Sequence, residues 1–536
     1  PAPSGQEQAA KEPPDHSFYQ AGSGQFLAER PVAQARVQKD GDIKLNFQKA
    51  NLLEVIKVIL GDMLGVTYVV DPAVQGNLLA ALGVESPPAP KPLPGETVTY
   101  QRRPKARDAA VNDTGLRFGE EVPREVIAVT DPEIEAIPED RRVRIGEKVT
   151  YRLAQRPGSY VILEYTRPVY KILDDQRILT TPAPANVLDK CVVDVSFLAG
   201  MLIDKFCYHL PLYRQHQRLM QSGIQLSRSS LGVWASRAID LLRPIVDAQS
   251  HHLLQSRVLA MDETPIKAGR KNKGKMHQAY FWPMYGDADE MVFHYASSRA
   301  HHHVNVFLGD FNGTLLSDGY DAYAAYARQK ESVIHAQCWS HCRRKFENAQ
   351  NSDPSASDEA LALIGALYRH EQIIRDRQLE GEQKLAYRTQ HSEPVVKAFW
   401  AWCDKQCHRP DLLPSSPLAK ALKYAMARKA SLEVFLGDPE VPIDTNHLER
   451  GLRVIPTGKK NWLFCWTEIG ADRVAIIQSL LVTCRLQGVD PYTYLVDVLQ
   501  RISEHPASQV ADLTPRVWKE KFSHNPMKSD LALAGQ

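Results

Sequence analysis

Several common features are missing from this 536-residue chain, and each absence narrows what it can be. No cysteine precedes Cys191, and eight in the whole length do not make a disulfide framework, so the chain suits a reducing compartment and a cytoplasmic location. No run of eighteen or more apolar residues occurs and no basic-then-apolar leader is visible, which predicts no membrane span and no membrane partner. Excess charge of one sign is also lacking. The 65 Lys and Arg nearly cancel the 63 Asp and Glu, so any nucleic-acid affinity has to come from local patches. What remains is ordinary globular composition, 43% hydrophobic and 8% aromatic, in a chain long enough for several domains.

The texture changes along the chain. Residues 1–41 are rich in Pro, Gly, Gln and Ala without a sustained period and read as a flexible leader. Residues 42–76 read as a small βαβ unit. Ile43, Leu45 and Phe47 alternate as in a strand; Leu52, Val55, Ile56, Ile59 and Leu60 recur at helical spacing behind Asn51; and Val66–Val70 suits a second strand after Gly65. Residues 77–116 form a linker, with five prolines in the twelve residues ESPPAPKPLPGE followed by the basic run QRRPKAR. Short strand-like segments over 117–175 predict a small β-rich module. Residues 176–250 look helical, and the break SGIQLSRSSLGVW gives them a helix-turn-helix look, for which plain packing is the alternative to DNA reading.

From residue 251 to 354 the pattern is three strands, helix, strand, helix, strand. RVLAMDETPI, MHQAYFWPMYG and EMVFHYASS are the first strands; AHHHVNVFLGDF is helical; GTLLSDGYDAY and VIHAQCW follow as strands. That order predicts a multidomain α/β protein with a ribonuclease H-like core, in which the first and fourth strands are neighbours. Their acidic ends, Asp262 and Asp318, then meet. Paired carboxylates of this kind hold hard divalent cations, and two ions about 3.5–4 Å apart assist phosphodiester displacement. Glu449 is the candidate third acid. Asp310, Asp321 and Asp444 compete, and an acid at a strand end is also a common solvated cap.

The motifs MDETPIKA, LLSDGYDAYAAY, CWSHCRRKFENA and NHLERGLRVIPTGKKNWLFCWTEIGADRVAIIQSLLVTCRLQGVDPYTYLVDVL together resemble the insertion sequence 66 family of transposases, from about residue 77 to 522. The resemblance implies metal-dependent strand cleavage and transfer at the ends of an insertion sequence. It implies a catalytic and metal-binding triad of Asp262, Asp318 and Glu449, two Mg²⁺ or Mn²⁺ ions, and DNA partners comprising element ends and target. It further implies a homo-oligomer, accessory proteins of the same element, a helical insertion over 355–436, a second core part over 437–490 and a helical tail over 491–536. One departure stands out: many members carry a cysteine-rich zinc module ahead of the helical segment, and residues 117–173 here hold no cysteine.

Basic and aromatic side chains near the acids are candidate DNA contacts. Lys267, Arg270, Lys271, Lys273 and Lys275 lie in KAGRKNKGK, Arg343 and Arg344 follow the fifth core strand beside His341, and Arg453, Lys459, Lys460 and Trp462 follow Glu449. Cys338, His341 and Cys342, or Cys403, Cys407 and His408, have spacings that zinc accepts, but cysteine is as often a core residue. Residues 42–76 resemble the first periplasmic domain of the secretin family (general secretion pathway protein D), which implies a short foreign fragment fused ahead of the transposase-like part. Two other readings follow, a secretion-system component named for that fragment and a catalytically inactive DNA-binding protein.

Overall fold

The structure, a computed structural model, describes residues 36–37, 43–44 and 116–534 except 121, 157, 175, 273, 274 and 464. The chain divides into two compact units, 1–107 and 108–536. In the first, Arg36–Val37 pairs antiparallel with Ile43–Lys44. The rest of the expected βαβ unit and the Pro-rich linker lie outside the described residues.

The second unit opens with a four-stranded sheet of β1 (Arg124–Ala128), β2 (Arg142–Arg156), β3 (Ser159–Ile172) and β4 (Ile178–Thr180). Its spine is the long β2–β3 antiparallel hairpin, whose turn is possible because Gly158 takes φ +84°. Four helices follow: α1 (Val195–Phe206), α2 (Leu212–Gln221), α3 (Arg228–Leu241) and α4 (Arg243–Leu253). Asp194 and Ser227 cap α1 and α3 by accepting the Ser196 and Ser229 amides. The break anticipated at SGIQLSRSS falls between α2 and α3, where Gly223 takes φ +76° and Ile224–Gln225 pairs with Arg117–Phe118.

The central sheet contains β5 (Val258–Met261), β6 (Thr264–Asn272), β7 (Lys275–Gly286), β8 (Met291–Ala296), β9 (Gly313–Ser317) and β10 (Val333–Gln337). Helix α5 (His302–Leu308) joins β8 to β9, α6 (Asp321–Gln329) joins β9 to β10, and α7 (Trp339–Glu347) follows β10. The expected neighbours are present, β5 lying parallel to β9, β9 parallel to β10, and β7 antiparallel to its neighbours, but four strands instead of three precede α5, because RVLAMDETPI is split into β5 and β6. All four β5 residues are buried, as suits an apolar run between two strands. β5 and β6 run end to end along one edge of β7, with Met261 opposite Met284 and Thr264 opposite Phe281. Only Asp262 and Glu263 interrupt them.

Between α7 and Glu449 stand α8 (Pro354–Asp376), the short helix Gly381–Tyr387, α9 (Glu393–Cys407), α10 (Pro417–Met426) and α11 (Lys429–Gly437). Fully buried Arg388 locks this segment, bonding both Glu371 oxygens at 2.8 and 2.9 Å and the carbonyls of Phe435, Asp438 and Val441 at 2.6–3.2 Å. The chain returns through α12 (Asn446–Leu452), α13 (Val454–Trp462), α14 (Glu468–Leu486) and α15 (Pro491–Arg501). Helix α14 is largely buried and closes the sheet edge, because Ser479 and Thr483 hydroxyls accept the β8 amides of Phe293 and Met291 at 2.9 and 3.0 Å. Among the described residues no helix is long and apolar enough to cross a membrane.

Candidate active site

The sheet register determines where the acids fall. Ala260 of β5 is level with Leu316 of β9, so Asp262 and Asp318, each two residues further on, arrive at the same end of neighbouring parallel strands. Asp262, Glu263 and Asp318 each offer an oxygen within 4.8 Å of the others, and among the described residues no other group of three metal-ligating side chains comes together in this way.

Each of the three is held from one side. Asp262 Oδ1 accepts the Glu263 amide at 2.8 Å and Asp318 Oδ1 accepts the Tyr320 amide at 2.8 Å. Glu263 accepts from Arg299 Nε at 2.7 Å and from the Tyr323 hydroxyl at 2.6 Å, while the Arg299 guanidinium lies 4.1 Å from the Tyr320 ring centre. Burial, reinforced by the neighbouring Glu263 and Asp318 charges, pushes the Asp262 carboxyl up to about 8. Burial and Asp318 also raise Glu263, against the pull of Tyr323 and Arg299. The cluster is therefore an electrostatic sink for positive charge.

Glu449 reaches the site from α12. It stands outside the 4.8 Å group, yet its charge acts on Asp262. Its Oε1 is buried without a hydrogen-bond partner and lies 3.8 Å from His341 Nε2 on α7. Burial holds His341 below its usual value, although Asp318 and Glu449 both pull it upward. The segment before α12 is pinned to the strand ends. Trp339 N donates to Ile443 O at 3.1 Å, Thr445 N and Oγ1 donate to Cys338 Sγ at 3.4 and 3.3 Å, and Cys338 N donates to Ser317 O at 3.1 Å.

These contacts also account for the cysteines considered for zinc. Burial pushes the Cys338 and Cys342 thiols up to about 11 and about 12, and Cys403 is equally buried, as suits small core residues. His341 faces Glu449 instead of solvent.

The candidate DNA contacts are spread around this cluster. Lys267 and Arg270 are exposed on β6, and Lys275 is exposed where β7 begins; Lys273 and the Lys271 side chain lie outside the described residues. Lys459 Nζ donates to Pro265 O at 3.2 Å, two residues from Glu263, and Lys460 is exposed beside it. Arg343 is paired with Glu347, whereas Arg344 and Arg453 are exposed. Trp462 is half-buried over Gly458, where an added Cβ would sit 2.6 Å from its indole nitrogen. Past α13, Cys465 straps the chain to β6, its amide donating to Lys267 O at 2.9 Å and its carbonyl accepting from Gly269 N at 3.2 Å.

Sequence reasoning missed Glu263 and Arg299. Glu263 directly follows a candidate ligand and was open to discovery by adjacency; Arg299, in an irregular Ser- and His-rich connection, carried no signal.

Residues 190–473 match the family model described as Transposase IS66 family, and residues 479–516 match the IS66 C-terminal element. Similar proteins occur in Sinorhizobium fredii (strain NBRC 101917 / NGR234). "Uncharacterized protein y4hP" is 31% identical over 399 residues, covering 71% of this chain and 72% of the relative. "Uncharacterized protein y4jD" is 31% identical over 395 residues, covering 70% and 76%. The matched region contains the whole acidic cluster together with Glu449 and the helical insertion, and the chain belongs to the IS66 family of transposases.

Proposed function

We propose that the protein is a DNA transposase that cleaves and joins strands at the ends of an insertion sequence by Asp-Asp-Glu chemistry on a ribonuclease H-like core. The observation that carries this reading is the convergence of Asp262 and Asp318 from adjacent parallel strands, with Glu449 brought beside them from α12. The donor set fits two Mg²⁺ or Mn²⁺ ions: every donor is a hard carboxylate oxygen, and a buried Glu449 oxygen makes no hydrogen bond, its nearest cationic neighbour being His341 Nε2 at 3.8 Å. When bound, such ions activate the attacking water or 3′ hydroxyl and stabilise the leaving oxygen.

The chain's own residues have separate tasks in this scheme. Asp262, Asp318 and Glu449 would hold the ions; Arg299 and Tyr323 hold Glu263 in place beside Asp262 and Asp318. Lys267, Arg270, Lys271, Lys273, Lys275, Arg343, Arg344, Arg453, Lys459 and Lys460 position the phosphate backbone without reading sequence. Two element ends have to be held together, so the working form is a homo-oligomer, aided by proteins of the same element and acting in the cytoplasm. Residues 42–76 are the secretin-like front of another gene and take no part in the chemistry. Inverted repeats bracketing the transposase part, with secretin coding sequence resuming beyond, would support that history.

The test of function is direct. Purified protein given Mg²⁺ or Mn²⁺ and DNA carrying the element's end repeats should cut and join strands. Asp262→Asn should abolish joining and leave DNA binding; joining that survives the substitution sinks the triad.

A further inference from the structure

The strap between α13 and α14 carries a feature that neither the acids nor the basic run explains. Leu463, Trp466 and Ile469 are 64, 68 and 62% exposed, three large apolar side chains within seven residues. Leu463 is also strained, at φ 66° and ψ −57°, close to the rare γ-turn geometry that a side-chain-bearing residue seldom adopts. Nothing in the core is gained by this strain, because the Leu463 side chain is in solvent. Trp462, the aromatic that the sequence favours for contact, is folded back over Gly458.

The surroundings of this patch identify what it fits. Cys465 is paired with β6 between Lys267 and Gly269, so Trp466 sits one residue beyond the pairing with a strand whose exposed cations are Lys267 and Arg270. Among the described residues neither these two nor Lys460 has an ion-pair partner. The nearby acid, Glu468, is turned onto Gly269, its Cγ 3.2 Å from where a Cβ would be. Lys267 is five residues along β6 from Asp262, which at about 3.4 Å per residue is roughly 17 Å from the acids. A nucleic-acid strand rising about 3.4 Å per nucleotide in duplex form covers that span in about five nucleotides.

We infer that Trp466, flanked by Leu463 and Ile469, is a stacking platform for an unpaired nucleobase of the DNA strand whose phosphates run along Lys267, Arg270 and Lys460 toward the acidic cluster. The inference rests on the proposed transposase reading and adds to it a residue and a ligand, a base pulled from the helix within a few nucleotides of the reacting phosphate. An exposed indole one residue past the pairing with the strand that carries Lys267 and Arg270 suits a polyanion with aromatic faces better than it suits an apolar protein surface. Duplex DNA offers its bases only after fraying, so the platform favours ends that open.

Equilibrium binding of the full chain to fluorescein-labelled single-stranded dT20, in EDTA and low salt, tests this apart from any cleavage. Losing one base–aromatic stack weakens binding by about 5- to 150-fold. Trp466→Ala should show a loss in that range with unchanged circular dichroism, and Trp466→Phe should stay within a few-fold of wild type. The proposal is overturned if Trp466→Ala binds as wild type does, or if Trp466→Phe is as weak as the alanine variant. The two readings fail separately. Wild type that ignores dT20 yet joins strands in an Asp262-dependent way removes the platform alone, whereas Trp466-dependent binding without any joining removes the catalytic reading alone.

Discussion

Neutralising Asp262 should make the metal-free protein more stable while it destroys joining. Burial together with Glu263 and Asp318 pushes this carboxyl up to about 8, whereas an aspartate in the unfolded chain titrates near 4. A folded value raised above the unfolded one gives stability that is complete below about pH 4 and is lost as pH rises through about 8. Four units at about 1.36 kcal/mol each set a ceiling of ~5 kcal/mol, and water reaching a partly exposed group lowers the expected relief to about 2–4 kcal/mol. Asn keeps an acceptor for the Glu263 amide, so little else changes. With an unfolding entropy of about 2.1 cal/mol/K per residue over some 420 residues, each kcal/mol moves Tm by roughly 1 °C. Thermal unfolding in EDTA should therefore place Asp262→Asn about 2–4 °C above wild type near pH 9 and level with it near pH 4. Adding Mg²⁺ should then raise wild type and leave the variant almost unmoved. Equal Tm values at high pH, or a Mg²⁺ response that survives the substitution, would refute the reasoning.

Other perturbations probe the scaffold and the basic surface. Arg388→Met strands buried Glu371 without its partner and should cost about 3–5 kcal/mol in urea unfolding. Replacing both Lys267 and Arg270 by Ala should lower the slope of log affinity against log salt by about 0.7–0.9 for each phosphate no longer neutralised, measured by titrating DNA at several salt concentrations. Burial lowers His294, stacked on Phe307, to about 4, so its stabilising effect is complete above about pH 6.5 and is lost as pH falls through about 4. His294→Leu should flatten acid destabilisation in that window by about 2 kcal/mol, read from urea unfolding at each pH.

The strand order was legible because β5, β9 and β10 are short apolar runs, two of them ending on acids, and because an apolar run between turn residues has few other uses. The helical insertion was expected from the family resemblance together with the helical texture of the segment, and not from caps: of its helices only α8 and α10 carry a side-chain cap, from Asp353 and Ser416. What the sequence concealed depends on partners distant in the chain. Nothing local shows that TPIKAGRKN continues along the same edge of β7 after two acids, because that follows from β7 being long enough to pair with both β5 and β6. Trp462 and Trp466 look alike in sequence; the first ends α13 and lies over Gly458, whereas the second stands in the connection past the helix and is 68% exposed. The anticipated helical break before α3 was present, but its pairing with Arg117–Phe118 depends on a segment about a hundred residues earlier.

The acidic cluster is hard to explain as architecture. Buried carboxyls in mutual contact are destabilising, and a well-packed apolar replacement is often no worse for a fold. Here the surrounding core has ample apolar mass, with Phe281, Trp282 and Phe293 almost fully buried in the adjacent strands. The protein supports do not cancel the charge: Arg299 and Tyr323 serve Glu263, and the amides of Glu263 and Tyr320 serve one oxygen each of Asp262 and Asp318. Glu449 is carried in on a helix pinned through Thr445 to Cys338, and its Oε1 still finds no donor. A fold that gives up stability in this way gains only when something positive binds the native state, because such binding stabilises that state by mass action. The physical chemistry of the acidic cluster thus favours the same cation-dependent reading as the family does, and it does so from observations independent of the match.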